Sequence, residues 1–276
     1  MPPLPTYTHF GGRHPETAAL TNTLAASGVR NPRTGQRYTE AMLLGVGGGL
    51  GAGYILWEFN EHKAKVLVLG WRANWQYPQR FMRTAWERLN VGAAERETGS
   101  RATALKELQA ALDAGTPPVA WVDRAHMPYL QLPEQLKGHI GHLVAVAGLE
   151  PDGAVLVDDL AAVPFRVPAV AFADARARIG SFKNRLLLPQ PGDTAAVDLP
   201  AAIRAGLSDC ADNLESKSDS FSLPTIAKWA RMMTDKKNKK GWPNLFPRPR
   251  GLYGLLKSVF EGVELTGTGG GGLRGL

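Results

Sequence analysis

Two strand-like runs, His142–Leu149 and Ala154–Asp158, stand on either side of Glu150-Pro151-Asp152-Gly153, and no other feature limits the available folds as much. Proline, aspartate and glycine in a four-residue gap favour a tight reversal of the chain, so the runs are expected to pair as an antiparallel hairpin. If Leu149 faces Ala154 across the turn, His142 lies opposite Ala161. Asp159 is then two residues from that partner, on the same face as His142 and diagonal to it. A carboxylate beside an imidazole fixes its tautomer and supports the charged ring, as a general base requires. The same pair also arises where two buried polar groups simply satisfy each other, and spacing alone leaves both readings open.

The segments around the hairpin alternate between helix and strand. His14-Pro15-Glu16 opens a helix, because proline suits the first helical position and an acid suits the positive end. Gly28 ends it, Asn31–Gly35 makes a turn, and Thr39-Glu40 starts a short helix that runs out at a glycine run. Tyr54–Phe59 and Ala64–Leu69 read as strands about a charged turn, Asn60–Lys63. Pro78–Asn90 and Ser100–Asp113 read as helices. In the second, Ser100 can cap, Ala104, Leu105, Leu108, Ala111 and Leu112 form a stripe, and Gly115 stops the helix. Val119–Val122, Phe165–Val167 and Arg185–Leu188 add strands, and Pro168–Ile179 adds a helix. Helices first and antiparallel strands later point to an α+β layout over residues 1–190. Near Gln190–Asp193 the composition shifts, and 195–276 reads as a smaller helical part with helices at Leu199–Leu207, Leu223–Met233 and Leu252–Glu261. It ends in a glycine-rich stretch, Gly267–Gly272.

Composition excludes several classes. The single cysteine, Cys210, rules out an intramolecular disulfide and any Cys-based zinc cluster, and fits a cytoplasmic location. The first ten residues lack the basic and apolar regions of a secretory leader. The longest uncharged run, Ala41–Trp57, includes six glycines and falls short of the roughly 20 apolar residues a membrane helix needs. A net charge of +7 favours an acidic partner.

Other motifs carry less. A helix start lowers the pKa of a thiol and stabilises anions, but the residue at the start here is the inert Pro15. Gly47-x-Gly49-x-x-Ala52 mimics part of a dinucleotide fingerprint, yet it follows a helix and precedes a strand, the reverse of what that site needs. Its glycines instead fit a close backbone approach near a site. Trp229, Lys236–Lys240, Trp242 and Arg248–Arg250 form a basic, aromatic-dotted stretch without a recognised nucleic-acid motif, so a solvated loop is expected and nucleic acid is not. His139 and His142 are three apart but lack a third ligand, and no metal site is expected. No cofactor is expected.

Together, Gly11–Thr17, Tyr38–Tyr54, Gly141–Gly148 and Val157-Asp158-Asp159 resemble the N-terminal domain of the butirosin biosynthesis protein H family. The region after 195, with Leu223–Ala230 and Gly241-Trp242, resembles the helical domain that accompanies it, incomplete at its C-terminus. The resemblance implies a papain-like α+β fold with an antiparallel sheet, and transfer of an acyl group from a carrier-protein thioester to a small amine. It also implies a cysteine nucleophile at the helix start, a histidine base and an orienting aspartate. Carried over, the base is His142 and the orienting acid Asp159, with Asp158 as rival. Pro15 occupies the nucleophile position, and His14, Glu16, Thr17, Gly48 and Gly49 are expected to line the site. Glu16 and Thr17 are stand-ins for the nucleophile. The expected partners are an acidic acyl carrier protein and an amine-bearing substrate. The alternative is a non-catalytic binding subunit that keeps the cleft.

Overall fold

A computed structural model describes residues 4–59, 64–72, 78–132, 134, 137–138 and 140–260. The turn expected at Asn60–Lys63 and the glycine-rich stretch lie outside the described residues. Contacts divide the chain into two compact units. One comprises residues 1–43 and 82–202, the other 44–81 and 203–276.

The first unit is α+β. Its sheet has six antiparallel strands: Val91–Arg96 (β3), Val119–Asp123 (β4), Gly141–Leu149 (β5), Val155–Asp158 (β6), Phe165–Val167 (β7) and Leu186–Pro191 (β8), in the order β3-β8-β4-β5-β6-β7. Helix α1 (Pro15–Ala26) packs on β5, and α5 (Ala169–Arg178) packs on β4. Every residue of α1 from Thr17 to Ala26 is buried, so its threonines, Asn22 and alanines need no polar face; a helix enclosed all round has no amphipathic stripe. The Ser100 hydroxyl caps α4 (Arg101–Asp113) by accepting from the Thr103 N–H, as the sequence predicts.

The hairpin forms with one adjustment. Leu149 pairs with Val155 rather than Ala154, and a bulge between Val146 and Gly148 absorbs the difference. Beyond the bulge Val146 faces Val157 and Ala145 faces Asp158, the register expected for the far end. An extra residue on one strand shifts its pairing by one, so the bulge returns His142 to the predicted face.

The second unit takes its hairpin from one part of the chain and its helices from another. Leu50–Phe59 (β1) and Ala64–Arg72 (β2) pair antiparallel. They share the unit with most of Leu199–Glu215 (α6) and with Pro224–Thr234 (α7), Trp242–Leu245 (α8) and Pro249–Phe260 (α9). The core contains Tyr54, Leu67, Met232, Trp242 and Leu255, and the Trp242 indole N–H donates to the Tyr54 hydroxyl at 3.0 Å. The compact units therefore do not follow a single boundary near 190, because the side chains that cover the hairpin lie more than a hundred residues further on. The chain passes between the units within α2 (Glu40–Val46), α3 (Pro78–Glu87) and α6. Among the described residues no helix is long and apolar enough to cross a membrane.

Candidate functional site

His142 is the second residue of β5, paired across the sheet with Val122 of β4. Gly141 before it lets the Phe182 ring pack close, since a Cβ there would sit 2.7 Å from the ring tip and the ring would have to shift. Asp159 follows the last residue of β6. Nε2 of His142 and Oδ2 of Asp159 are 2.8 Å apart, with both residues 5% exposed. The Tyr129 hydroxyl donates to the same Oδ2 at 2.8 Å. Tyr129 is held in place by stacking on Phe165 of β7, with ring centroids 3.9 Å apart and planes 5° from parallel.

This carboxylate is pulled in two directions. Burial pushes Asp159 up, but the His142 contact, the Tyr129 hydroxyl and the Arg124 charge outweigh it and hold the carboxyl below its usual range. An ionised, twice-engaged carboxylate fixes the His142 ring and leaves Nδ1 as the nitrogen on the far side from Asp159. Burial, reinforced by Asp159, pushes the Tyr129 phenol up, so it stays a donor.

Asp158, the rival acid, faces a different set of groups. Its Oδ2 accepts from the Tyr7 hydroxyl at 2.6 Å and the Asn22 amide at 2.8 Å, and its Oδ1 accepts from the Gly11 N–H at 2.7 Å. Burial raises its carboxyl to about 6, against the pull of those three donors. The two adjacent aspartates thus divide the work: Asp159 engages His142, and Asp158 fastens the segment that leads into α1. Gly11 lies so close to the strand end, at φ 75°, that a Cβ would fall 2.6 Å from the Ala161 carbonyl oxygen.

The start of α1 is tied from its other side by Glu40. That carboxylate accepts from the N–H groups of Arg13 at 2.8 Å and His14 at 3.2 Å, and from the Thr17 hydroxyl at 2.6 Å. An acid from a separate helix thus satisfies the two N–H groups that lead into α1 and lies at its positive end. Pro15 is the first residue of α1, half-buried with His14 and Glu16, while Thr17 is fully buried.

The structure therefore brings together His142 and Asp159, and it fastens the Pro15 helix to the strand end bearing Asp159. Gly48 and Gly49 belong to the other unit, where packing accounts for them: a Cβ on Gly48 would lie 2.8 Å from that of Asp209, and one on Gly49 would lie 2.1 Å from Leu44 Cδ1. Tyr129, Asp158's partners Tyr7 and Asn22, and the capping role of Glu40 have no signal in the spacing. Each acts across more than twenty residues of sequence. Among the described residues no cluster of three or more His, Cys, Asp or Glu could hold a metal.

A comparison with curated proteins gives no match. Residues 14–160 match the family described as butirosin biosynthesis protein H, N-terminal. The match runs from the residue before Pro15 to the residue after Asp159, and so spans the start of α1, His142 and both aspartates. It covers just over half of the 276 residues, and the chain belongs to the butirosin biosynthesis protein H N-terminal family.

Proposed function

We propose that this chain is a papain-like acyltransferase relative that moves an acyl group from a carrier-protein thioester to a small amine by direct attack. The observation that carries this reading is the buried His142–Asp159–Tyr129 chain of hydrogen bonds. In the proposed step the amine nitrogen attacks the thioester carbonyl, forming the C–N bond. His142 takes the amine proton on Nδ1, the C–S bond breaks, and the proton passes to the departing thiolate. Asp159 holds the ring and balances the imidazolium, and Tyr129 keeps the carboxylate aimed. Proximity and a placed base together can supply much of the acceleration that a covalent intermediate otherwise would.

A second reading, a binding or partner subunit that retains the cleft without chemistry, is favoured by Pro15. No thiol stands at the helix start, and Cys210 is buried in the other unit. Thr17 is a poor substitute, because its hydroxyl is fully buried and already donates to Glu40.

The deciding experiment is acyl transfer from loaded acyl carrier protein to a panel of amines, comparing the natural chain with His142→Ala. The expected result is turnover that falls about 100-fold or more in the variant, the range for removing a general base. Turnover equal in both proteins sinks the acyl-transfer reading. Tight binding of carrier or amine without any turnover establishes the second reading instead.

A further inference from the structure

The basic excess of the chain is concentrated in one place. Residues 224–260 carry nine lysines and arginines against one acid, Asp235, a net charge of +8 where the whole chain has +7. Structurally this segment is α7, α8 and α9 with the turn at Lys236–Lys240. That turn is fixed. The Asp235 carboxylate accepts from the N–H groups of Lys237 and Asn238, and the Asn244 amide donates to the carbonyls of Lys236 and Asn238. Four exposed lysines therefore project from a set backbone.

The same region exposes apolar side chains that its own core leaves uncovered. Leu255 of α9 is buried in the second unit's core and Val259 packs against it. Leu252, Tyr253, Leu256 and Phe260 form a second stripe at helical spacing, 39%, 70%, 48% and 55% exposed. Arg250 and Lys257, seven residues apart and both exposed, border it. At the start of α9, Leu245, Phe246, Pro247, Arg248, Arg250 and Gly251 line a groove. An apolar strip with a rim of one sign of charge is what a protein surface offers to a helix of opposite sign.

We propose that residues 224–260 are a docking surface for an acidic helix of a partner protein, whose apolar side chains lie on the α9 stripe and whose carboxylates meet Arg248, Arg250, Lys257 and the lysine turn. Its identification with the thioester-bearing carrier rests on the acyl-transfer reading; its chemistry does not. Leu252 and Leu256 offer nothing to phosphates or bases, whereas Tyr253 and Phe260 can stack on unpaired bases, so nucleic acid is an arm of the test.

The test is the affinity of the full chain for a fluorescently labelled acidic acyl carrier protein, measured by anisotropy at low and at high salt. Changing Lys236, Lys237, Lys239 and Lys240 together to Glu is expected to weaken binding about tenfold or more at low salt and much less at high salt. Tyr253→Ser with Leu256→Ser is expected to weaken it about tenfold at both. All six side chains are exposed, so the melting temperatures should match that of the natural chain. Unchanged affinity in either variant overturns the proposal. So does preferential binding to duplex RNA or to anionic-lipid vesicles that depends on the lysines and not on Tyr253 and Leu256. Docking with these dependences but no acyl transfer leaves the surface standing and removes the acyl-transfer reading. Transfer that depends on His142 yet survives the lysine reversal with an unchanged KM for carrier does the opposite.

Discussion

At the scale of single residues, the neighbouring carboxylates Asp158 and Asp159 show how one step along a chain changes a side chain's task. Asp159 turns toward His142 and Tyr129, whereas Asp158 turns toward Tyr7, Gly11 and Asn22. Pro15 carries the other prediction at this scale. A cysteine there would stand at the first position of a twelve-residue helix, where the helix dipole favours a thiolate. In Pro15→Cys with Cys210→Ala, alkylation by a thiol reagent is expected to persist well below the usual thiol range of about 8.5. Adding His142→Ala should return it to ordinary pH behaviour. If reactivity tracks a free thiol with or without His142, position 15 does not face the histidine and the site assignment falls.

At the scale of elements, close packing decides which glycines matter. A Cβ on Gly206 of α6 would sit 1.8 Å from the Gly45 carbonyl oxygen, whereas one on Gly254 of α9 meets nothing within 4 Å among the described residues. Gly206→Ala should destabilise the protein by about 1–3 kcal/mol, the usual effect of overpacking. Gly254→Ala should stabilise it by about 0.5–1 kcal/mol, because glycine is a poor helix former. Urea unfolding of the two variants checks both signs. This contrast also marks what the sequence made legible. The capped helix at Ser100, the hairpin turn at Glu150–Gly153 and the His142–Asp159 neighbourhood follow from local signals. Strand β3 does not, since Val-Gly-Ala-Ala-Glu-Arg has one β-branched residue and is a strand only because β8 pairs with it. The bulge near Ala147 was equally hidden: it leaves the far end of the hairpin in the expected register while the turn end is displaced by one. Which of two adjacent aspartates meets His142 depends on Tyr7 and Asn22, more than a hundred residues away, and no spacing rule carries that information.

At the scale of the whole molecule, the two aspartates make opposite contributions to stability across acid pH. Asp158's carboxyl is raised in the fold, so its stabilising contribution is complete below about pH 4 and is lost as pH rises through about 6. The loss amounts to about 3 kcal/mol at one pKa unit per 1.36 kcal/mol. Asp159's carboxyl is lowered, so its contribution is present above the ordinary aspartate range and lost as pH falls through its folded value. Unfolding free energy measured from pH 4 to pH 7 should therefore fall less steeply in Asp158→Asn than in the natural chain, although the variant is less stable throughout for want of one acceptor. Parallel curves would show that Asp158 does not titrate in this window. The second unit's divided origin bears on how the chain is made. Tyr54 and its hydrogen-bond partner Trp242 are 188 positions apart, so the β1–β2 hairpin leaves the ribosome long before its cover exists. At roughly 5–20 residues per second the wait is about 10–40 s, during which an apolar two-stranded ribbon stands open to chaperones and to other nascent chains. The yield of this protein is therefore expected to depend on translation speed through residues 73–241, a stretch in which synonymous codons become part of the folding problem.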